Sequence, residues 1–480
     1  MNEAAADDTP DFKGLPVTVA GLGVSGPPAA RVLRDLGAEV TVVDGGDGER
    51  QRAQAAELRA IGVRVRLGDG SSLPEGTRLV VTSPGWRPDS PLLLAAAEAG
   101  LPVWGDVELA WRLRRPLPET GEPAPWLAVT GTNGKTTTVQ MLAAILAADG
   151  RRTAAVGNVG VSVLDAVTAE PPYEVLAVEL SSYQLHWAPS LRPYSGAVLN
   201  LAPDHLDWHG SMEAYAAAKG RIYQGNRVAC VYNTADPLTE RLVREADVEE
   251  GCRAIGFTLE TPRPSELGVV DGLLVDRAFV ADRQRSAAEL AAVEDVHPPA
   301  PHNVADALAA AALARSYGVE PAAVREGLRG FRPDAHRVAE VAVVDGVRWV
   351  DDSKATNTHA AAASLRAYEP VVWIAGGLAK GAEFDELVAE AAGRLRAVVL
   401  IGADRDVIRA SLARHATEVP VVEVADGETG ATAMASVVRA ARGLAHEGDT
   451  VLLAPACASM DMFTNYGERG DLFAEEVRRL

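Results

Sequence analysis

One stretch concentrates more reactive chemistry than any other in this sequence: Gly131-Thr132-Asn133-Gly134-Lys135-Thr136-Thr137. Glycines let backbone N–H groups converge on an anion, and a helix N-terminus adds partial positive charge. Lys135 adds a full charge, and Thr136 stands where a P-loop hydroxyl meets Mg²⁺. The full Walker pattern has a glycine where Val129 sits, so the motif is a shortened P-loop. A glycine turn that merely joins a strand to a helix is the plainer reading. A lysine and threonines placed directly after an apolar run favour nucleoside triphosphate binding over that reading.

Other stretches carry weaker signals. Gly21, Gly23 and Gly26 have dinucleotide-fingerprint spacing, and Asp44 follows at about the expected distance. Such a turn can bind nothing, a nicotinamide dinucleotide, or another nucleotide-bearing ligand. The P-loop favours the last. Ser83-Pro84-Gly85 lies at a strand's C-terminal end, where ligands of open α/β sheets sit. Glu179 ends another apolar run and is placed either to hold Mg²⁺ or to bond its own loop. The segment Asn200 to Gly210 is dense in acids and histidines, as either ligands or a solvated turn. Lys219 follows on a short helix, where a lone lysine is ordinarily solvated. Asn303 suits an N-cap, with Asp306 answering three residues on. Asp351 to Asn357 follows a strand and precedes a helix that Thr356 or Asn357 could cap; its lysine and hydroxyls could also grip a carboxylate. Lys380 is a cation in a glycine-rich loop, and Ala454 to Ser459 is rich in small residues that admit close backbone approach.

These groups need scaffolds, and the pattern supplies them. Strand signals at Val17–Ala20, Ala38–Val43, Val63–Leu67 and Leu79–Thr82 alternate with helical runs. Arg114 to Pro125 reads as a linker. Trp126 to Val129 reads as a buried strand, and Val139, Met141, Leu142, Ile145 and Leu146 recur with helical period. Further strands are expected at Val175–Leu180 and Ala197–Leu199, then a hairpin around Asp271-Gly272. A helix is expected from Val304 to Tyr317. The last part alternates again, with strands at Arg348–Val350, Val371–Ala375, Ala397–Ile401, Val421–Val424 and Thr450–Leu453, which predicts a third parallel sheet. The expected fold is α/β with three domains. Residues 1–116 form a Rossmann-like domain, 117–333 a central P-loop ATPase-like parallel sheet, and 334–480 a C-terminal Rossmann-like domain.

Length and charge bound the partners. A chain of 480 residues, 48% hydrophobic, holds about three domains. The formal charge of −20 argues against nucleic acid or an anionic membrane as partner. Three cysteines without metal or redox spacing fit a reducing cytoplasm. Met1 to Asp11 reads as a disordered, acidic lead-in rather than a signal peptide, and no apolar run reaches membrane-spanning length.

Taken in order, GTNGKTT, DDSKATN (Asp351–Asn357) and PACASMD (Pro455–Asp461) resemble the Mur ligase family, on its D-glutamate-adding branch. The resemblance runs from Gly21 to Gly470. It implies a monomeric enzyme using ATP and Mg²⁺ to join D-glutamate to UDP-N-acetylmuramoyl-L-alanine; another ligase of the superfamily, such as a folylpolyglutamate synthase, is the alternative. Val24, Ser25, Asp44, Ser83 and Gly85 would then hold the uridine diphosphate, and Asn158 and Ser181 the muramoyl end. Gly131 to Thr137, Asn303, Arg337, Asp352 and Lys354 would meet ATP, the last three across a domain cleft. Thr136, Glu179, His205 and a carbamylated Lys219 would hold metal, and Lys135, Glu179, His205 and Lys219 would be catalytic. His205, Thr356, Lys380, Ser459, Met460 and Tyr466 match the D-glutamate site. The sequence departs from the family in four respects. Gly45-Gly46 stands where Thr-Arg can occur, Asp306 replaces a second asparagine, and Met460 and Tyr466 replace Leu and Phe.

Overall fold

The computed structural model describes residues 9–424 and 429–480. Residues 1–8 of the expected disordered lead-in lie outside them. The chain forms two compact units. The first is Met1–Asp295 with Ala305–Gly330; the second is Val296–Val304 with Phe331–Leu480.

The first unit holds two sheets. Strands β1 (Pro16–Ala20), β2 (Glu39–Asp44), β3 (Arg64–Leu67), β4 (Leu79–Thr82) and β5 (Val103–Gly105) pair in the order β3-β2-β1-β4-β5, all parallel. The order reverses at β1, so the ends of β1 and β4 flank a switch point, where open α/β sheets bind ligands. The second sheet contains β6 (Trp126–Thr130), β7 (Thr153–Gly157), β8 (Val175–Glu179), β9 (Ser195–Val198), β10 (Ala229–Asn233), β11 (Arg253–Phe257), β12 (Glu266–Val270), β13 (Leu273–Asp276) and β14 (Ala288–Ala292). Its order is β14-β13-β12-β11-β10-β9-β6-β8-β7. β6 lies between β8 and β9, parallel to both. The apolar run of β6 is therefore covered on both faces, and Trp126 to Thr130 are all buried. The expected hairpin is β12–β13, antiparallel, and β13–β14 extends it. The sheet is thus parallel only from β7 to β12. One apolar core runs through both sheets, from Val19 and Leu33 to Trp126, Leu176 and Ile222. Each such side chain contributes about 1.5–3 kcal/mol through burial.

The helix after β6, Lys135–Ala148, begins with Lys-Thr-Thr-Thr-Val. Threonines are poor helix formers. They are tolerated because they sit in the first turn, where the Thr136 hydroxyl reaches Glu179, while Met141, Leu142, Ile145 and Leu146 behind them are fully buried.

The second unit contains β15 (Ala339–Val344), β16 (Val347–Asp351), β17 (Val371–Gly376), β18 (Leu395–Ile401), β19 (Val421–Glu423) and β20 (Thr450–Leu453), in the order β15-β16-β20-β17-β18-β19. The expected parallel sheet needs one correction: β15 pairs antiparallel with β16. Asp345-Gly346 makes that a tight turn, with both residues at positive φ of 52° and 74°. Separate apolar clusters cover the two faces, one around Trp373 and Phe384, the other around Trp349 and Phe473. Among the described residues, no helix is long and apolar enough to cross a membrane.

Candidate functional site

Loop Gly131–Gly134 joins the C-terminal end of β6 to the helix Lys135–Ala148. Gly134 has φ of 83°, and a Cβ there would lie 2.3 Å from Asp306 Oδ1, so both backbone and space demand glycine. Asn200, just past β9, clamps the loop. Its Oδ1 accepts from Asn133 N at 2.9 Å, its Nδ2 donates to Asn133 O at 3.1 Å, and its carbonyl accepts from Thr132 N at 3.0 Å. Lys135 folds back over the loop, donating to Gly131 O at 2.9 Å and Thr132 O at 2.8 Å. These carbonyls occupy the ammonium as a phosphate oxygen would.

Thr136 Oγ1 donates to Glu179 Oε2 at 2.8 Å. Asn158 Nδ2 donates to Glu179 Oε1 at 2.9 Å. Glu179 is buried at the end of β8. Gly157 permits this approach: its φ is 104°, and a Cβ would lie 2.2 Å from Glu179 O. A carboxylate and a hydroxyl side by side are the hard oxygen donors Mg²⁺ takes, so this donor set fits that ion.

Lys219 is 2% exposed, so the reading of a solvated helix lysine is overturned. Its Nζ donates to Gly131 O at 2.7 Å, the same carbonyl that holds Lys135. Burial, and then the charge of Lys135, push its pKa well below the ordinary lysine value; Asp204 and Glu179 oppose the shift. His205 stands in the left-handed region at φ 54°, with Nε2 3.3 Å from Asp204 Oδ2. Burial lowers its pKa against the pull of Asp204, which favours the neutral, ligating imidazole. His205 also feels the charges of Lys219 and Lys135, so the structure gathers these groups around one loop. Among the described residues, no three His, Cys, Asp or Glu side chains form a metal cluster.

The sequence assigned no individual role to three further participants. Asn200 is the loop clamp, Asp204 is the acid facing Lys219 and His205, and Tyr215 puts its hydroxyl 3.1 Å from Thr132 Oγ1. Asn200 carried a signal, since it follows a strand just as Glu179 ends one.

In the five-stranded sheet, Asp44 turns inward. It accepts from Leu22 N at 2.6 Å and Gly46 N at 2.8 Å, so it braces the glycine loop and its own Gly45-Gly46 turn. Ser25 Oγ donates to the buried Asp106 at 2.8 Å. Val24 is 87% exposed, Ser83 Oγ is buried without a hydrogen-bond partner, and Gly85 has open space where a Cβ would be. Ser181 caps the helix Ser182–His186 in a capping box with Gln184.

Two readings around the Ala-rich helix need correction. It runs Pro301–Ser316, not from Val304. Pro301 starts it because its fixed φ and missing N–H suit a first turn. Asn303 therefore lies inside that turn and donates to Pro298 O at 3.1 Å instead of capping. Asp306 is no capping-box partner either; its carboxylate is packed where a Gly134 Cβ would go.

In the second unit, Asn357 caps the helix Thr358–Arg366 through Ala360 N, which leaves Thr356 free of that duty. Lys354 Nζ sits 3.8 Å over the Tyr466 ring. Buried Arg469 binds Ser353 and the carbonyl of Cys457, tying the Asp351–Asn357 stretch to the one ending at Asp461. Lys380 has φ of 51°, Ser459 is buried, and Met460 and Tyr466 are exposed. Arg337 contributes its charge near Asp352.

Asp352 carries a titration that can be read. Burial pushes its carboxyl up to about 6 from 3.8, although Ser364 and Val338 N donate to it. Its folded pKa exceeds its unfolded one, so its contribution to stability is full at low pH and falls as pH rises through about 4 to 6. Relative to wild type, Asp352→Asn gains about 3 kcal/mol of stability between about pH 4 and pH 7. Urea unfolding at both pH values measures this; an unchanged difference would mean that the carboxylate is well solvated.

Residues 129–314 match the Mur ligase middle domain, and residues 336–457 match the Mur ligase glutamate ligase domain. A UDP-N-acetylmuramoylalanine–D-glutamate ligase of Streptomyces avermitilis is 74% identical over 470 residues, covering 98% of this chain and 99% of its own. One from Thermobifida fusca is 61% identical, covering 98% and 99%. MurF ligase of Thermotoga maritima, solved with ADP, shares the fold at TM-score 0.55 and 16% identity, covering 98% of this chain and 96% of its own. From the shortened P-loop to the helix that Asn357 caps, this chain belongs to the Mur ligase family.

Proposed function

We propose that this protein is an ATP-dependent ligase that joins D-glutamate to UDP-N-acetylmuramoyl-L-alanine in peptidoglycan precursor synthesis. The reading is carried by the nucleotide loop, where Lys135, Thr136 and Glu179 are assembled, in a chain whose 74%-identical relative bears that ligase's name. The γ-phosphoryl of ATP passes to the alanyl carboxylate, ADP leaves, and the amine of D-glutamate attacks the acyl phosphate. The amide forms as phosphate departs and the amine loses its proton.

In this account Lys135 exchanges its two carbonyl partners for phosphate oxygens and neutralises them in transfer. Loop residues Gly131, Thr132, Asn133, Gly134 and Thr137 shape the phosphate cradle, and Asn303, Arg337, Asp352 and Lys354 serve the rest of ATP. Thr136, Glu179, His205 and a carbamylated Lys219 would hold Mg²⁺, which when bound would spread the negative charge of the transferring phosphoryl. Val24, Ser25, Asp44, Ser83, Gly85, Asn158 and Ser181 serve the UDP substrate. Ser83's unpartnered hydroxyl and the exposed Val24 support that use. His205, Thr356, Lys380, Ser459, Met460 and Tyr466 orient the glutamate amine. The functional divisions are 1–116 for the UDP substrate, 117–333 for ATP and 334–480 for the amino acid. The enzyme works as a cytoplasmic monomer on small substrates, without nucleic acid or membrane; its three free cysteines support the reducing compartment.

The test supplies ATP, Mg²⁺, UDP-N-acetylmuramoyl-L-alanine and each amino acid in turn, and follows phosphate release. Release with D-glutamate is expected. Release with another amino acid but not with D-glutamate would overturn the substrate assignment. Slow release indifferent to any amino acid would mark a nucleotide switch.

A further inference from the structure

A recess of about 210 Å³ opens in the first unit where β6 begins at Trp126. The nucleotide loop leaves the opposite end of that strand. Along five strand residues the two lie roughly 13 Å apart, so the recess is separate from the site described above.

Three arginines line the recess, Arg114, Arg192 and Arg227, against one acid, Glu122. Arg227 pairs with Glu122 at 3.1 Å. Among the described residues, no carboxylate pairs with the other two arginines. Arg114 Nε donates to Trp111 O at 2.9 Å, and Arg192 Nη1 to Leu191 O at 2.8 Å and Pro189 O at 3.2 Å. The Arg114 guanidinium lies 3.1 Å from the centre of the Trp111 ring and 5.8 Å from that of Trp126. Burial lowers its pKa to about 9, the mark of a charge held out of water without a counter-charge. In a chain of formal charge −20 this is a local concentration of the minority sign.

Arginine stems often just cover aromatic surface. That explains the stacking of Arg114 but not three guanidinium groups around one recess. Nor is the linker a loose tether here. Pro116 bridges Pro123, and Leu117 N donates to Glu122 O at 2.9 Å, which holds one wall in place.

We propose that this recess is a binding site for a compact phosphate-bearing anion, gripped by Arg114 and Arg192 between aromatic walls. Guanidinium groups from two separate segments offer more N–H forks than the two oxygens of one carboxylate can take, whereas a phosphate's tetrahedral oxygens can accept from both. Arg114 lies two residues past the helix Asp106–Arg112, whereas Trp126 opens β6 of the nine-stranded sheet and Arg192 lies in the loop that leads into its β9. A bound anion therefore ties the linker to the second sheet.

The experiment uses the full chain saturated with ADP, so that the nucleotide loop is filled, and titrates inorganic phosphate by calorimetry. Trp111 and Trp126 provide a fluorescence readout at the recess itself. Wild type binds saturably, and Arg114→Met and Arg192→Met each weaken phosphate by about tenfold or more while ADP affinity stays unchanged. The unchanged ADP affinity shows that each variant is folded; should Arg114→Met fail to fold, Arg192→Met carries the test. Equal phosphate affinity in wild type and the folded variants overturns the site, as does no saturable binding by wild type. Benzoate, titrated likewise, separates the ligand classes: binding of benzoate without phosphate overturns the phosphate assignment.

Discussion

Lys135→Ala abolishes amide formation and leaves the protein folded. The Lys135 ammonium is the full positive charge inside a loop otherwise built from backbone dipoles, and it already lies within 3 Å of two loop oxygens. Its charge counts most as the γ-phosphoryl moves, when negative charge spreads over the transferring oxygens. Loss of at least about a thousandfold in turnover is expected from removing such a group. Stability should change little, because Lys219 still donates to the Gly131 carbonyl and the helix is anchored by Met141, Leu142 and Ile145. A circular dichroism melt must accompany the assay, since activity lost by misfolding proves nothing. A second effect is built into the geometry. Lys135 and Lys219 share the Gly131 carbonyl, so removing the Lys135 charge raises the pKa of Lys219. Near-normal turnover in a folded variant would refute the P-loop assignment.

Lys219→Ala is nearly inactive, and short carboxylates restore part of the activity. A protonated lysine is a poor neighbour for a metal ion. This one is almost wholly buried beside a second ammonium, and both influences favour the neutral amine. A neutral amine can attack carbon dioxide, forming an N–C bond and releasing a proton. The resulting carbamate presents two anionic oxygens, the ligand type hard cations take. Formate or acetate in the cavity of the alanine variant would stand in for those oxygens. Rigorous removal of carbon dioxide should lower wild-type activity as well. Ordinary turnover of a folded Lys219→Ala enzyme would defeat the carbamate reading outright.

Elements with a local cause were legible in the sequence. The strand Trp126–Thr130 and its helix follow from a continuous apolar run, two glycines and a 3.6-residue period, all contained within about 20 residues. The hairpin at Asp271-Gly272 follows from turn chemistry alone. Partnerships made at long range were not legible. Nothing in residue type tells that Lys219 reaches the Gly131 carbonyl, 88 positions earlier, instead of water. Asp44 stands at the distance of a dinucleotide fingerprint's acid, and its residue type does not tell that its oxygens accept from Leu22 N and Gly46 N. Asn303 looked like a cap because its residue type is the common one; Pro301 starts the helix two residues earlier. Such errors arise where backbone chemistry offers two equivalent solutions and tertiary packing selects one.

The central claim is that ATP activates the substrate's own carboxylate, and oxygen labelling tests it most directly. UDP-N-acetylmuramoyl-L-alanine carrying ¹⁸O in the alanyl carboxylate is incubated with ATP, Mg²⁺, D-glutamate and the enzyme, and the released phosphate is analysed by mass spectrometry. The account predicts that each phosphate carries one carboxylate oxygen and that the amide retains the other. Unlabelled phosphate accompanying amide formation would contradict it, because the carboxylate would then never have been phosphorylated.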